Sequence, residues 1–516
     1  MYRKRVILLI NSLPKTIGEL KKRGYKVLSV KDEIRKNLIH KLKNKEELFK
    51  GIIGYEKTVI PAVSNAILAK HDVIFLGLRG QAKTKIARML ISLLDEHVPI
   101  IKGSEINDNP FNPISKYAVD LVNEHGDYTE VEWITREMRY GEKLATPDVT
   151  IADLIGDIDP IKAATQRLHY SHEGAIHFGI IPRTNRGIFV INELPDLQPR
   201  IQVGLLNIMQ EKDIQIRGFN IRIPLDIFIV FTANPEDYTN RGNIITPLKD
   251  RIDSQILTHY PRSLEEGIKI TESESWIKRQ EKETIIPYYL REIVEAIGVE
   301  ARCSEFVEQK SGVSARMSIS VMENLISNAE RRSILNNDII VFPRITDLQA
   351  VLPGITGKIE LVFEGEQEGS VKVSKALIGK SVRQIFRKYF PDPLQRKRTG
   401  GEGSQGDPYG EILKWFEMGN SIELSDDLTF KDYFATLRKV KGLENTVKKF
   451  IKTENEFELA TMMEFVLDGL HQNSKIAKDE ADECISYKDM VGSMLRDKSS
   501  QAGKRTSYDY EEDWNY

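Results

Sequence analysis

At 516 residues the chain is too long for one hydrophobic core, and length alone suggests roughly three domains. With 41% hydrophobic and 29% charged residues it reads as ordinary globular protein, and a formal net charge of -2 gives no global reason to expect a nucleic-acid partner. Cys303 and Cys484 stand far apart, which offers neither a disulfide framework nor a cysteine metal spacing and fits a reducing compartment.

The N-terminus is basic and then apolar to Ile10, a run too short for a secretory signal that breaks at Asn11. No later stretch approaches the ~18 apolar residues of a membrane helix, so a cytoplasmic protein with no membrane contact is expected. Residues 1–50 carry helical spacing and dense charge and read as a helical lead-in. A turn bounded by Gly51 and Gly54 precedes an amphipathic stretch, Val59 to Ala69, and then the apolar run Val73 to Leu76. Directly after it come Gly77 to Thr84 and a helical pattern to Leu94. A strand, a glycine-containing loop and a helix in that order can hold a triphosphate, with loop N–H groups on the phosphates, one lysine among them and one hydroxyl on their magnesium. Gly77, Gly80, Gln81 and Ala82 frame the loop, and Lys83 and Thr84 occupy the last two positions. Ala82 stands where the pattern G-x-x-x-x-G-K-[ST] has its second glycine.

Short apolar runs alternate with helical patterns to about Tyr260, which predicts an α/β domain over 51–262 with a parallel sheet covered by helices. The run Gly187 to Ile191 ends in Asn192 and Glu193, where a phosphate-loop enzyme carries an acidic pair, one member for magnesium and one to activate water. Glu193 keeps the carboxylate of a general base; Asn192 retains hydrogen bonding to a magnesium-bound water but lacks the charge. Taken alone, Glu193 reads equally well as a helix-capping acid. The run Leu225 to Phe231 leads to Asn234, an amide suited to orienting water and sensing a terminal phosphate, although an isolated Asn before Pro is more often a turn residue. Three strand ends bearing phosphate-appropriate groups are hard to obtain by chance, and nucleotide binding is the expectation. Arg251 suits stabilisation of a transferring phosphoryl group from a neighbouring subunit, or a surface ion pair; Arg316 starts a helix and suits reaching back to the nucleotide, or a first-turn surface position. His169, His172 and His177 invite a metal but have no supporting cysteine or carboxylate cluster, and no metal is expected there.

Helical spacing dominates 263–350, a mixed extension spans 351–394 with an extended stretch at Ile359 to Phe363, and a Gly-rich linker with Arg396, Lys397 and Arg398 spans 395–410. A helical C-terminal module follows over 411–495, and the acidic, aromatic residues 496–516 are expected to be disordered.

These segments resemble the AAA+ ATPases, and among them the branch of the magnesium-chelatase ATPase subunit and the MoxR-type ATPases. The resemblance covers about residues 50 to 345: Gly77 to Thr84 as Walker A, Phe189 to Glu193 as Walker B, Thr232 to Pro235 as sensor 1, Leu248 to Asp253 as the arginine-finger region and Ser314 to Arg316 as sensor 2. Ala145 to Lys162 with Gly179 to Gly187 looks like that branch's insertion in helix 2, and Ile214 to Ile223 like its hairpin before sensor 1. The resemblance implies a P-loop core with a helical lid domain, ATP and Mg²⁺ as cofactors, and a homo-oligomeric ring, typically a hexamer. It implies that Lys83 binds the β/γ-phosphates, Thr84 ligates Mg²⁺, Glu193 activates water, Asn234 orients it, Arg251 acts in trans, Arg316 couples the lid and Gly54 lies by the base or ribose. It further implies a partner with a von Willebrand factor A-type domain, which this chain, having no D-x-S-x-S motif, would find in a separate protein. Three functions compete: a remodelling or cofactor-insertion ATPase, a magnesium-chelatase motor subunit, and a scaffold in which Asn192 slows hydrolysis so that ATP only sets assembly. A nucleic-acid motor has no basic-aromatic patch to support it.

Overall fold

The computed structural model describes residues 13–165, 173–216, 222–234, 243–279, 282–394, 407–425, 428–481 and 484–490. The N-terminal apolar run, His169, His172, Pro235, most of the linker and the acidic tail therefore lie outside the described residues. The chain divides into two compact units, Met1–Tyr260 and Pro261–Tyr516.

In the first unit five strands form one parallel sheet: β1 (Val73–Leu76), β2 (Tyr140–Leu144), β3 (Gly187–Asn192), β4 (Ile227–Ala233) and β5 (Ser254–Leu257), in the order β5-β1-β4-β3-β2. Parallel pairing needs crossovers, and these place helices on both faces. Every residue of β1, β3 and β4 is buried, as continuous apolar runs require when both faces are covered. The two-residue period of a strand then divides their side chains. Ile74, Leu76, Phe189, Ile191, Ile229 and Phe231 join Leu205 and Ile208 of α5 (Pro199–Glu211) on one face. Val73, Phe75, Ile188, Val190, Phe228 and Val230 meet α2 (Val30–Lys43), α3 (Val59–Leu68) and α4 (Lys83–Met89) on the other. The lead-in is thus built into this core: α1 (Ile17–Lys22) packs Leu20 beside Val131, and α2 lies on the sheet. Glu33 of α2 receives both terminal nitrogens of Arg139 at 2.8 and 2.7 Å, and both side chains are buried. In the segment where the insertion is expected, Gly156–Ile158 pairs antiparallel with Ile176–Phe178, and farther on Asp213–Gln215 pairs antiparallel with Arg222–Pro224.

In the second unit, after α7 (Leu264–Glu274), the helices α8 (Tyr288–Cys303), α9 (Arg316–Leu335), α10 (Ser370–Tyr389) and α11 (Glu456–Gln472) enclose one apolar cluster running from Ile286 to Tyr487. The lid-like helices, the mixed extension and the C-terminal segment therefore share a core rather than forming modules with separate interiors. Leu459 to Leu470 of α11 are all buried, and Tyr289 stacks on Phe465 with centroids 4.4 Å apart. The stretch expected to be extended at Ile359 to Phe363 contributes only a bridge between Val307 and Leu361 before a short helix begins at Phe363. The C-terminal segment also carries a three-stranded antiparallel sheet, Ile422–Ser425, Cys484–Lys488 and Ala477–Ala481, that helical spacing did not reveal.

Burial pushes the carboxyl of Glu464, on α11, up to about 7, with the Tyr433 hydroxyl donating to it at 2.6 Å. An unfolded chain releases that proton near the ordinary value of 4.5, whereas the folded unit holds it to about 7. Stability should therefore fall as pH rises through that window, by about 3 kcal/mol in all. Glu464→Gln is expected to abolish this slope, giving urea midpoints equal to wild type near pH 4 and higher above pH 7; parallel pH profiles would refute it.

Candidate functional site

The ends of β1, β3 and β4 meet at one edge because β1 and β4 are register neighbours, Leu76 opposite Ala233, and β4 is flanked on its other side by β3. The loop after β1 turns through left-handed backbone at Gly80 (φ 76) and Ala82 (φ 56) before α4 begins. An L-residue in that region costs roughly 1–2 kcal/mol, so the loop holds Ala82 in a glycine-like conformation despite the absence of glycine. Gly77 has a different requirement: a Cβ there would lie 1.9 Å from Thr258 Oγ1 and 2.2 Å from Gln81 Oε1. Gln81 is turned inward, accepting from the Thr258 hydroxyl at 2.7 Å, and Tyr55 braces the loop from below by donating to the Gln81 carbonyl at 3.0 Å.

Lys83 is buried, and its ammonium donates to the carbonyls of Gly77 and Leu78 and to Asn234 Oδ1 at 2.5 Å. Thr84 Oγ1 donates to Asn192 Oδ1 at 3.3 Å, and Thr232 Oγ1 donates to the same oxygen at 3.1 Å. The Glu193 N–H donates to Thr232 Oγ1 at 3.1 Å, and Glu193 itself is left-handed (φ 54), which turns it out of the strand line directly after β3. Lys83, Thr84, Asn192, Glu193 and Asn234 thus occupy one small volume at the sheet edge.

No family model matches the sequence, and no curated protein matches it. Among solved structures it is similar to NtrX from Brucella abortus (13% identity over 56% of this chain and 54% of that one, TM-score 0.33). It is also similar to a chain of the BchI–BchD complex of magnesium chelatase (18% identity, 62% and 98%, TM-score 0.33) and to Hsp104 with ATPγS and casein (15%, 58% and 48%, TM-score 0.36). The chain spans about half the length of the NtrX and Hsp104 chains. Likenesses this distant assign no activity, and the reading of the site rests on its own geometry.

Arg251 ends the short helix α6 (Thr246–Arg251), where its guanidinium grips Gln210 Oε1 at 3.0 and 2.9 Å and the Pro247 carbonyl at 2.8 Å. Its own chain thus supplies acceptors for the guanidinium. Gly54 has φ 83, and its N–H donates to Glu56. Arg316 is exposed in the first turn of α9, in the second unit. His177 contacts Arg183 at 3.3 Å.

Glu142 of β2 carried no sequence signal: Tyr140–Leu144 is short and charged and has no strand-like apolar run. Glu142 Oε1 accepts from Asn192 Nδ2 at 2.7 Å, while Arg88 donates to both carboxylate oxygens at 2.8 Å and Tyr140 OH to one at 2.9 Å. The Arg88 guanidinium holds the Glu142 carboxyl below its ordinary range.

Proposed function

We propose that this protein binds and hydrolyses ATP with Mg²⁺ as an AAA+ protein of the magnesium-chelatase and MoxR-like branch. The observation carrying the reading is the convergence of Lys83, Thr84 and Asn234 from the ends of adjacent strands, with Lys83 Nζ 2.5 Å from Asn234 Oδ1. A buried cation on a turn of backbone N–H groups fits a polyphosphate, and a threonine hydroxyl facing an amide oxygen fits magnesium and its waters. Gly77, Gly80, Gln81 and Ala82 supply the loop backbone, and Lys83 exchanges its carbonyl acceptors for phosphate oxygens. Magnesium, when bound, neutralises charge on those oxygens. Glu193 accepts the proton of the attacking water, Asn234 orients that water, and Arg251 of a neighbouring copy stabilises the transferring phosphoryl group. Arg316 couples the second unit to nucleotide state, and Gly54 borders the base or ribose.

The working assembly is a homo-oligomeric ring, a hexamer by resemblance, acting in the cytoplasm on a client protein or cofactor together with a separate von Willebrand A-domain protein. No helix among the described residues is long and apolar enough to cross a membrane. Coupled insertion of magnesium into protoporphyrin with partner subunits tests the narrower role of chelatase motor.

The uncharged Asn192 side chain supports a second reading, a nucleotide-sensing scaffold that turns over too slowly to do work. Glu193→Gln separates the two: for an ATPase, phosphate release should drop ~10²–10⁴-fold with ATP affinity retained. Equal rates in both proteins support the scaffold.

A further inference from the structure

We propose that Glu142 is a positioning residue for magnesium: it supplies, one hydrogen bond outward, the carboxylate that Asn192 lacks, and it fixes which end of the Asn192 amide faces Thr84. The inference rests on the ATP and magnesium reading above.

An asparagine amide can present either its oxygen or its NH₂ to a neighbour, and the surrounding hydrogen bonds decide which. Here they leave one solution. The carboxylate of Glu142 accepts only, so the Asn192 NH₂ must point to it, at 2.7 Å. The oxygen is then directed at Thr84 and Thr232, whose hydroxyls both donate to it. A magnesium-bound water is a donor and needs an acceptor in that place. Without Glu142, the amide is free to turn and offer its NH₂ toward Thr84, a donor facing donors.

The carboxylate is itself held rigidly. β2 runs beside β3 with Leu144 opposite Asn192, and the Ala145 N–H donates to the Asn192 carbonyl at 2.8 Å, so backbone pairing sets the spacing of the two side chains. Arg88 clamps both oxygens of Glu142. Because Thr84 and Arg88 are four residues apart on α4, they lie on one helix face, and a single helix addresses the Asn192 oxygen and the Glu142 carboxylate together. The carboxylate lacking at position 192 thus stands on the neighbouring strand, at Glu142 of β2.

The test is titration of the full-length chain with a fluorescent ATP analogue, in excess Mg²⁺ and in EDTA. Wild type should bind more tightly with Mg²⁺. Glu142→Ala should lose ~10–100-fold of affinity in Mg²⁺ and little in EDTA, as expected when a partner orienting a metal ligand is removed. Asn192→Asp alone sets two carboxylates against each other and should also weaken the Mg²⁺ effect. The double variant Asn192→Asp with Glu142→Gln, which moves the charge inward and provides a donor behind it, should restore it. Glu142→Ala with the full Mg²⁺ effect, or equal losses with and without Mg²⁺, would overturn the inference, as would a double variant no better than Asn192→Asp. Absence of ATP binding by wild type in both conditions would instead overturn the parent reading of the site.

Discussion

Lys83→Ala should lower ATP affinity by a factor of ~10² or more. The ammonium lies where β1 and β4 end side by side, hydrogen-bonded to Asn234, and it is buried, so its field on a phosphate is little screened by water. Charge-assisted hydrogen bonds contribute about 1.5–3 kcal/mol each, and the loss of two amounts to about 3–6 kcal/mol, or roughly two to four decades in Kd. The substitution also removes ties to the Gly77 and Leu78 carbonyls and to Asn234, so loop order is a competing explanation. Isothermal titration with MgATP, paired with thermal denaturation, separates them: the expected result is lost binding with a nearly unchanged melting temperature. Unchanged affinity would remove the basis for the nucleotide assignment.

Asp347→Ala should destabilise the second unit by about 3–5 kcal/mol, because removing one partner leaves the other as an uncompensated buried charge. Asp347 is fully buried and accepts Arg332 at 2.5 and 2.9 Å, the Arg344 N–H at 2.6 Å and Asn328 at 2.7 Å. Burial alone would raise its pKa, but the Arg332 guanidinium and these hydrogen bonds outweigh it and hold the carboxyl below 3.8. For a depressed carboxylate the sign is fixed: its contribution is fully present above the unfolded value and is lost as pH falls through the lower folded value. The Asp347→Ala penalty should therefore be largest near neutral pH and shrink in strong acid. Urea unfolding followed by hydrogen exchange along α9 measures both effects; a change below about 1 kcal/mol at pH 7 would mean that Arg332 finds another partner.

Several features could be read along the chain because their causes are local. The apolar runs Val73 to Leu76, Gly187 to Ile191 and Leu225 to Phe231 match β1, β3 and most of β4, since a strand buried on both faces must be continuously apolar. The loop from Gly77 to Ala82 is likewise a matter of a few neighbouring torsions, and even the departure from glycine at Ala82 is absorbed locally, at φ 56. The partner of Arg251 within its own chain shows the limit of such reading: its grip on Gln210 depends on how α5 and α6 pack, which no short window records.

What the sequence by itself determined is the α/β class of the first unit, the loop with Lys83 and Thr84, and the polar residues Asn192, Glu193 and Asn234 at the strand ends, because periodicity and adjacency are properties of the chain. Only the tertiary structure decided which strand lies beside which, and hence that Glu142 stands behind Asn192 across fifty residues of sequence. It also decided that segments from Ile286 to Tyr487 close around one core, with α11 at its centre. Strand neighbours and shared cores are chosen by non-local hydrogen bonding and by burial of apolar surface. Neither leaves a mark on the short windows in which helices, turns and phosphate loops are written.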